Sequence, residues 1–458
     1  MDPLRIEYEG GRPGWNDANN GLAGMIGSGM PETYELSVLV EFLLKAVQKY
    51  SRPIEVPIEL VKLIGVIESE LDRLAESPID DDDDGEISTR VPDALFNYWD
   101  AVATARERYR EETKTTFAGA TETLKATAVA ALLQRWSEAL KEGMARALKF
   151  GTRGEGDDGS TGITPTYFSY NVVKWDRTGE VNKNGHPLVT ARRMEVGVFP
   201  LFLEGPTRMM KTVESSVAAE IYTRVRLSPL RDQGLGMYTI SSSLKGQSAD
   251  MGREMAFAPG WLENQSVWLH MSYKFYLEIL RHGLLDQFFE EMSSGGILPF
   301  MDPDVYGRSL LECSSFIASS VFEDPSVRGR GFLARLSGST AEFLSMWTLM
   351  MLGPKPFYVE EETGELRMQL VPALPRWLFV DTKDSAPKVS FKLFGAIDVT
   401  YFHLRGDENL YRVSPSRYVI GLRDGSTFSI VGPSIPFELA DKIRRVVFVA
   451  TIDAFFDH

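Results

Sequence analysis

Leu36, Leu39, Leu43 and Val47 recur at three- and four-residue intervals, the spacing of one face of an α-helix. Pro31 suits a first helical position, and Glu32 beside it favours the positive end of the peptide dipoles, so the helix is expected to start there and run to about Tyr50. A second helix is predicted from near Pro57, with Leu60, Ile64, Ile67, Leu71 and Leu74 along one face. Long helical patterns follow at roughly 92–115 and 119–150. The pattern then changes. "TYFSYNVVKW" and "RRMEVGVFPLFL" are rich in aromatic and β-branched residues, and "NKNGH" between them supplies a turn, which predicts a β insertion near 164–204. Helical sequence resumes at about 206–225, at 261–283, where Gly283 ends the pattern, and at 339–352. Past residue 353, "FYVEEETGELRMQL", "KVSFKLFGAIDVTYFHLR" and "YVIGLRDGSTFSIVG" alternate apolar and polar positions around Thr-Gly and Asp-Gly turns. They predict an all-β C-terminal domain, a sandwich in arrangement.

Composition narrows the classes. The chain has 458 residues, a net charge of −15 and no long basic stretch, which disfavours nucleic acid and anionic membrane surfaces as partners. No apolar run is long enough to span a bilayer, and "MDPLRIEYEGG" has neither the basic nor the apolar part of a secretory signal. The single cysteine, Cys313, allows no internal disulfide, so a reducing, cytoplasmic setting is expected. Five scattered His give no metal-ligand spacing, and no metal is expected. "DDDDDG" at 80–85 reads as a solvated loop, because its carboxylates repel and lack calcium-loop spacing. "GTRGEGDDGSTG" at 151–162 reads as a flexible connection.

Four stretches have residues of the right kind for chemistry. In "GGRPGWNDANNGL" a Trp precedes a carboxylate inside a Gly-rich loop. An indole can cover the apolar face of a sugar and lower the polarity around Asp17, favouring a protonated carboxyl that acts as a general acid. The simpler reading is that Asn16, Asp17, Asn19 and Asn20 are turn and cap residues. In "ENQSVWLHM", His270 sits on an apolar helix face near Trp268, a pattern that usually means a satisfied core histidine. In "RLSGSTAEF", Ser339 and Glu342 have capping-box spacing, and the same Gly-Ser-Thr turn at a helix start can bind an anion; Arg328 and Arg330 lie just before it. In "FMDPDVYGRSLLECSSF", Asp302, Asp304, Arg308 and Glu312 either line a polar cleft or cap and solvate a loop.

Taken in order, these stretches resemble the inverting sugar phosphorylases of the cellobiose phosphorylase and β-1,3-glucan phosphorylase group, glycoside hydrolase families 94, 149 and 161. "GWNDANNGL" is similar to the family's Trp-Asn-Asp motif, "WLENQSVWLHM" to its Glu-Asn…His segment, and "LSGSTAEFLSMW" to its Thr-Gly-Thr-Ala helix start. "LRMQLVPALPRWLF" resembles the strand and Pro-rich turn that open the family's C-terminal β domain. "GSGMPET", "LFLEGP" and "FMDPDVYGRS" look closer to the β-1,3-glucan enzymes.

The resemblance implies a mainly α fold with β: part of an (α/α)6 barrel over 1–353, carrying the β insertion, then a β-sandwich over 354–458. It implies phosphorolysis of a β-glucan to α-glucose 1-phosphate, with no cofactor and inorganic phosphate as co-substrate. Asp17 is then the acid that protonates the glycosidic oxygen, and Trp15 shapes the sugar subsite. His270 and the turn Ser337-Gly338-Ser339-Thr340 contact phosphate, though the turn is one residue longer than the family's, leaving open which hydroxyl corresponds. Hydrolysis with inversion needs a second carboxylate to activate water, whereas phosphate is already an anion. The family carries a β domain, early barrel helices and phosphate-binding arginines ahead of the Trp-Asn-Asp loop, and here fourteen residues precede Trp15. The expected partners are thus a β-glucan, phosphate and an upstream polypeptide that completes the barrel, and an oligomer is compatible with this. Two alternatives stay open: a hydrolase on the same architecture using Glu263 or Glu312, and an inactive glucan-binding or interaction fragment.

Overall fold

The computed structural model describes residues 6–7, 14–77, 88–151, 162–308, 314–334, 337–382, 385–404 and 408–457. The acidic run at 80–85, most of the 151–162 connection, Glu312 and Cys313 lie outside the described residues. Among the described residues, helix accounts for 42% and strand for 25%, so the fold is mixed α and β with helix the larger share. It divides into two compact units. One holds the described residues of Met1–Glu278 and Leu298–Arg335, and the other those of Ile279–Ile297 and Leu336–His458.

In the first unit, the helix Met30–Tyr50 starts one residue before the expected Pro31 and ends where Ser51 turns left-handed, with φ of 48°. Its buried residues include Tyr34, Val40 and Leu44; Val40 and Leu44 form a core cluster with Leu133 and Leu140 of the helix Ala126–Phe150. The stripe Leu36, Leu39 and Leu43 is left exposed. The helix has apolar residues on more than one side, and packing against Ala126–Phe150 selected the side that spacing alone did not single out. Helices Ile58–Glu76 and Asp93–Glu112 follow. The short strand Thr121–Leu124 pairs with Ile54–Pro57 where continuous helix is expected from 119, so that helix starts at Ala126.

The β insertion is a long hairpin, Tyr167–Val181 against Pro187–Val198. Asn182 Oδ1 accepts from the backbone N–H of Asn184 and of His186, and Gly185 takes φ of 80°, which closes the turn. Only the base of the hairpin is buried. There Phe168, Tyr170 and Met194 join Met30, Tyr34 and Leu95 in a second core cluster. Helices Glu204–Met210 and Ser215–Leu227 come next.

The helix expected over 261–283 spans only Leu269–Arg281. Residues 261–266 form a turn instead, with Leu262 and Gln265 at φ of 50° and 58° and the Ser241 hydroxyl bonded to both the Glu263 carbonyl and the Gln265 N–H. Non-helical φ values at two positions break the ladder. The part of this helix in the first unit is deeply buried: Leu269, Met271, Phe275 and Tyr276 are fully inaccessible.

In the second unit, six strands form one sheet in the order 380–382, 385–393, 397–403, 449–456, 417–422 and 427–431. All neighbours are antiparallel except Ile397–His403 and Val449–Phe456, which run parallel. Side chains alternate between buried and accessible along these two strands, as one covered face requires. The helix Ser337–Met351 lies against the sheet: Trp347 meets Phe391 edge-on at 5.4 Å, and the Tyr401 hydroxyl donates to the Met351 carbonyl. The C-terminal region is not all β. Phe437–Arg444 is a helix, entered at Pro436 and buried through Leu439, Ala440 and Ile443. A parallel pair of strands cannot be joined by a hairpin, and this helix lies within the longer connection between them.

Candidate functional site

The loop that carries Trp15 and Asp17 is held inside the first unit. Asn16, Ala18 and Asn19 are buried, while Asp17 faces out. The backbone N–H of Asn16 donates to the Tyr167 hydroxyl at 3.3 Å, and that hydroxyl donates to Glu204 at 3.4 Å. Arg208 bridges Glu204 to Glu35, which Lys211 also reaches at 2.6 Å. The loop therefore stands on a polar network anchored in the base of the hairpin and the helix Glu204–Met210.

Trp15 and His270 meet directly. The indole Nε1–H donates to His270 Nε2 at 2.5 Å. Trp15 is half-buried, with its ring 4.9 Å from His270, 5.2 Å from Trp268 and 5.8 Å from Phe202. His270 occupies the first turn of Leu269–Arg281. The strand Val267–Trp268 just before it pairs with Ser314–Ile317, which fixes where that turn lies. An indole N–H can only donate, so Nε2 must carry a lone pair and the neutral ring bears its proton on Nδ1. Burial, then the nearby Lys274 ammonium, pushes His270 down to about 4, which keeps the imidazole neutral near pH 7. Its Nδ1 is buried without a partner. The ring thus presents one uncharged, unsatisfied donor.

Asp17 is less enclosed than a carboxyl under an aromatic platform is expected to be. Its side chain is 67% exposed, and Oδ1 accepts from Arg253 Nη2 at 2.7 Å. The indole of Trp15 packs on Phe202, Trp268 and His270 and leaves the carboxyl to solvent and the guanidinium.

Two other carboxyls are buried in the same neighbourhood. Glu254, at 1% exposure, accepts from Asn16 Nδ2 at 2.7 Å through Oε2, and its Oε1 has no partner. Burial, opposed by the Asn16 bond and reinforced by the charge of Glu263, pushes it up to about 7. Glu263 is also buried and shifted upward, chiefly by burial and further by Asp17, and its Oε2 is unpartnered. Glu263 stands out in the sequence beside Asn264. Glu254, within "GREMAF", does not; its only local signal is a Gly before a charged pair.

The turn Ser337–Thr340 belongs to the second unit and is the first turn of the helix Ser337–Met351. Ser339 therefore lies inside that helix, two residues beyond its start, and is not the residue that caps it. Its side chain is buried, and Thr340 is exposed. Arg328 and Arg330 donate to the carbonyls of Phe322 and Ser326 and brace their own loop. Asp302 caps the short helix Pro303–Tyr306, and Arg308 donates to the Gly331 carbonyl. Among the described residues, no group of three or more His, Cys, Asp or Glu is placed to hold a metal, and no helix is long and apolar enough to cross a membrane.

No protein-family model matches this chain, and no curated protein matches it.

Proposed function

We propose that the chain is the acid-bearing, C-terminal half of an inverting β-glucan phosphorylase, with part of an (α/α)6 barrel and a C-terminal β-sandwich. The observation that carries this reading is the direct bond between Trp15 and His270, which joins two motifs 255 positions apart. In this reading Asp17 protonates the glycosidic oxygen while inorganic phosphate attacks the anomeric carbon from the opposite face. The Nδ1–H of His270, buried in this structure, donates to a phosphate oxygen once the loop of Trp15 moves to expose it. The contacts ascribed to Ser337, Gly338, Ser339 and Thr340 rest on the resemblance alone. The Arg253 pair holds Asp17 at the surface and must open as the acid engages substrate.

The exposed stripe Leu36, Leu39, Phe42 and Leu43 supports an incomplete barrel. Such a face on a helix is ordinarily covered, and the proposed cover is an upstream polypeptide. A second reading is favoured by Glu254 and Glu263. A buried carboxyl near 7 suits a general base, so the same architecture can support hydrolysis.

The test is to incubate β-1,3-gluco-oligosaccharides with the chain, with and without phosphate, alone and with a polypeptide supplying the early barrel helices. Phosphate-dependent glucose 1-phosphate formation in the complemented sample is expected. Glucose release without phosphate supports the hydrolase, and binding without turnover in every sample rejects both.

A further inference from the structure

We infer that Arg253 and Glu254 are positioning residues for Asp17: two consecutive side chains that grip its loop on either side of the carboxyl. The inference rests on the reading of Asp17 as proton donor, and its geometry is independent of that reading. Glu254 holds the residues that flank the acid. Its Oε2 accepts from Asn16 Nδ2 at 2.7 Å, and its backbone N–H donates to the Ala18 carbonyl at 3.1 Å. Arg253 holds the acid and the residue three further on. Its Nη2 donates to Asp17 Oδ1 at 2.7 Å, and its backbone N–H donates to Asn20 Oδ1 at 3.0 Å. Just upstream, the Gly21 N–H donates to the Met251 carbonyl at 3.1 Å.

The two segments approach backbone to backbone. A Cβ added at Gly21 would fall 2.0 Å from the Asp250 carbonyl oxygen, and one at Gly252 would fall 2.4 Å from the Gly21 nitrogen. Gly252 also takes φ of 112°, which side chains disfavour. The short 3-10 turns Ala249–Met251 and Arg253–Ala256 thus form a clamp with glycine on both jaws.

The grip on Asn16 is a buried bond, and the other two side-chain oxygens of the pair, Asn16 Oδ1 and Glu254 Oε1, are buried without partners. A bond to an ionised carboxylate is stronger than one to its neutral acid. Glu254 sits near 7, so the strength of the grip changes across neutral pH. The charged groups around it are Glu263, from the turn before Val267–Trp268, and Asp17 and Arg253, which act on Glu263.

The experiment uses the full chain labelled with 5-fluorotryptophan, with the Trp15 resonance assigned from Trp15→Phe. In the wild type, the Trp15 signal shifts between pH 6 and 8 with a midpoint near 7, and in Glu254→Gln it stays fixed. A second variant, Asn16→Ala, keeps the carboxyl but removes its hold, and the Trp15 shift is lost there too. A Trp15 signal that matches wild type at every pH in both Glu254→Gln and Asn16→Ala overturns the proposal, because a loop held through these two side chains must move when either hold is changed. Where phosphorolysis is measurable, Glu254→Gln lowers kcat by about tenfold with the KM for phosphate unchanged. Absence of phosphorolysis in the wild type would reject the functional reading, and the fluorine signal would still decide the clamp.

Discussion

The indole nitrogen of Trp15 and the Nε2 of His270 share one hydrogen bond at 2.5 Å, between residues 255 positions apart in the sequence. Because the indole can only donate, this contact fixes the histidine tautomer and leaves Nδ1–H for another acceptor. The same bond tethers the loop of Asp17 to the core helix Leu269–Arg281.

Trp15→Phe keeps the aromatic packing and removes the donor. His270 Nε2 is then buried with nothing to bind, so the variant should lose about 1–3 kcal/mol of stability. Chemical denaturation measures this, and an unchanged midpoint would show that the bond contributes nothing.

The pH dependence of stability has a definite sign. His270 sits near 4 in the folded chain, below its ordinary 6.5. Between these values the folded state binds fewer protons than the unfolded state. The stabilisation is whole above 6.5 and is lost as pH falls towards 4, by on the order of 3 kcal/mol. Glu254 acts in the opposite direction, because its value of about 7 exceeds the ordinary 4.5 and its contribution is lost as pH rises through that window. Melting curves of His270→Gln should therefore show a shallower acid limb than the wild type. Parallel limbs would exclude His270 as the source.

Asp17→Asn should abolish turnover and leave the melting temperature within a few degrees of wild type, because the side chain is exposed and its Arg253 pair is a surface one. Glucose 1-phosphate formation equal to wild type would remove Asp17 from the site.

Gly252→Ala should loosen the clamp. The added methyl meets backbone atoms at 2.4–2.6 Å, and no rotamer change relieves them. Limited proteolysis should cut within 248–256 faster than in wild type, and equal protection would mean the backbones have room to spare.

Local signals account for much of the fold. The Pro31 start, the alternation in 397–403 and the Asn182–His186 turn each act over a few residues, so the order of neighbouring side chains is enough to predict them. The parts that were not legible depend on partners far along the chain. Ser241 and the left-handed Leu262 and Gln265 break a helix that periodicity extends back to 261. The C-terminal helix Phe437–Arg444 belongs to a connection whose need arises from a parallel strand pair.

The candidate site divides in the same way. By itself the sequence determined the chemistry available: a Trp beside a carboxylate in a Gly-rich loop, a histidine on an apolar stretch and the glutamate at 263. Only the tertiary structure decided that Trp15 bonds His270, that Asp17 faces solvent against Arg253, and that Glu254 lies buried beneath Asn16. It also chose which side of the helix Met30–Tyr50 is covered, burying Val40 and Leu44 and leaving Leu39 and Phe42 open. The physical reason is range. Periodicity and turn chemistry are set by neighbours a few residues away, whereas burial, ionisation and hydrogen-bond partners are set by whichever distant segments pack alongside.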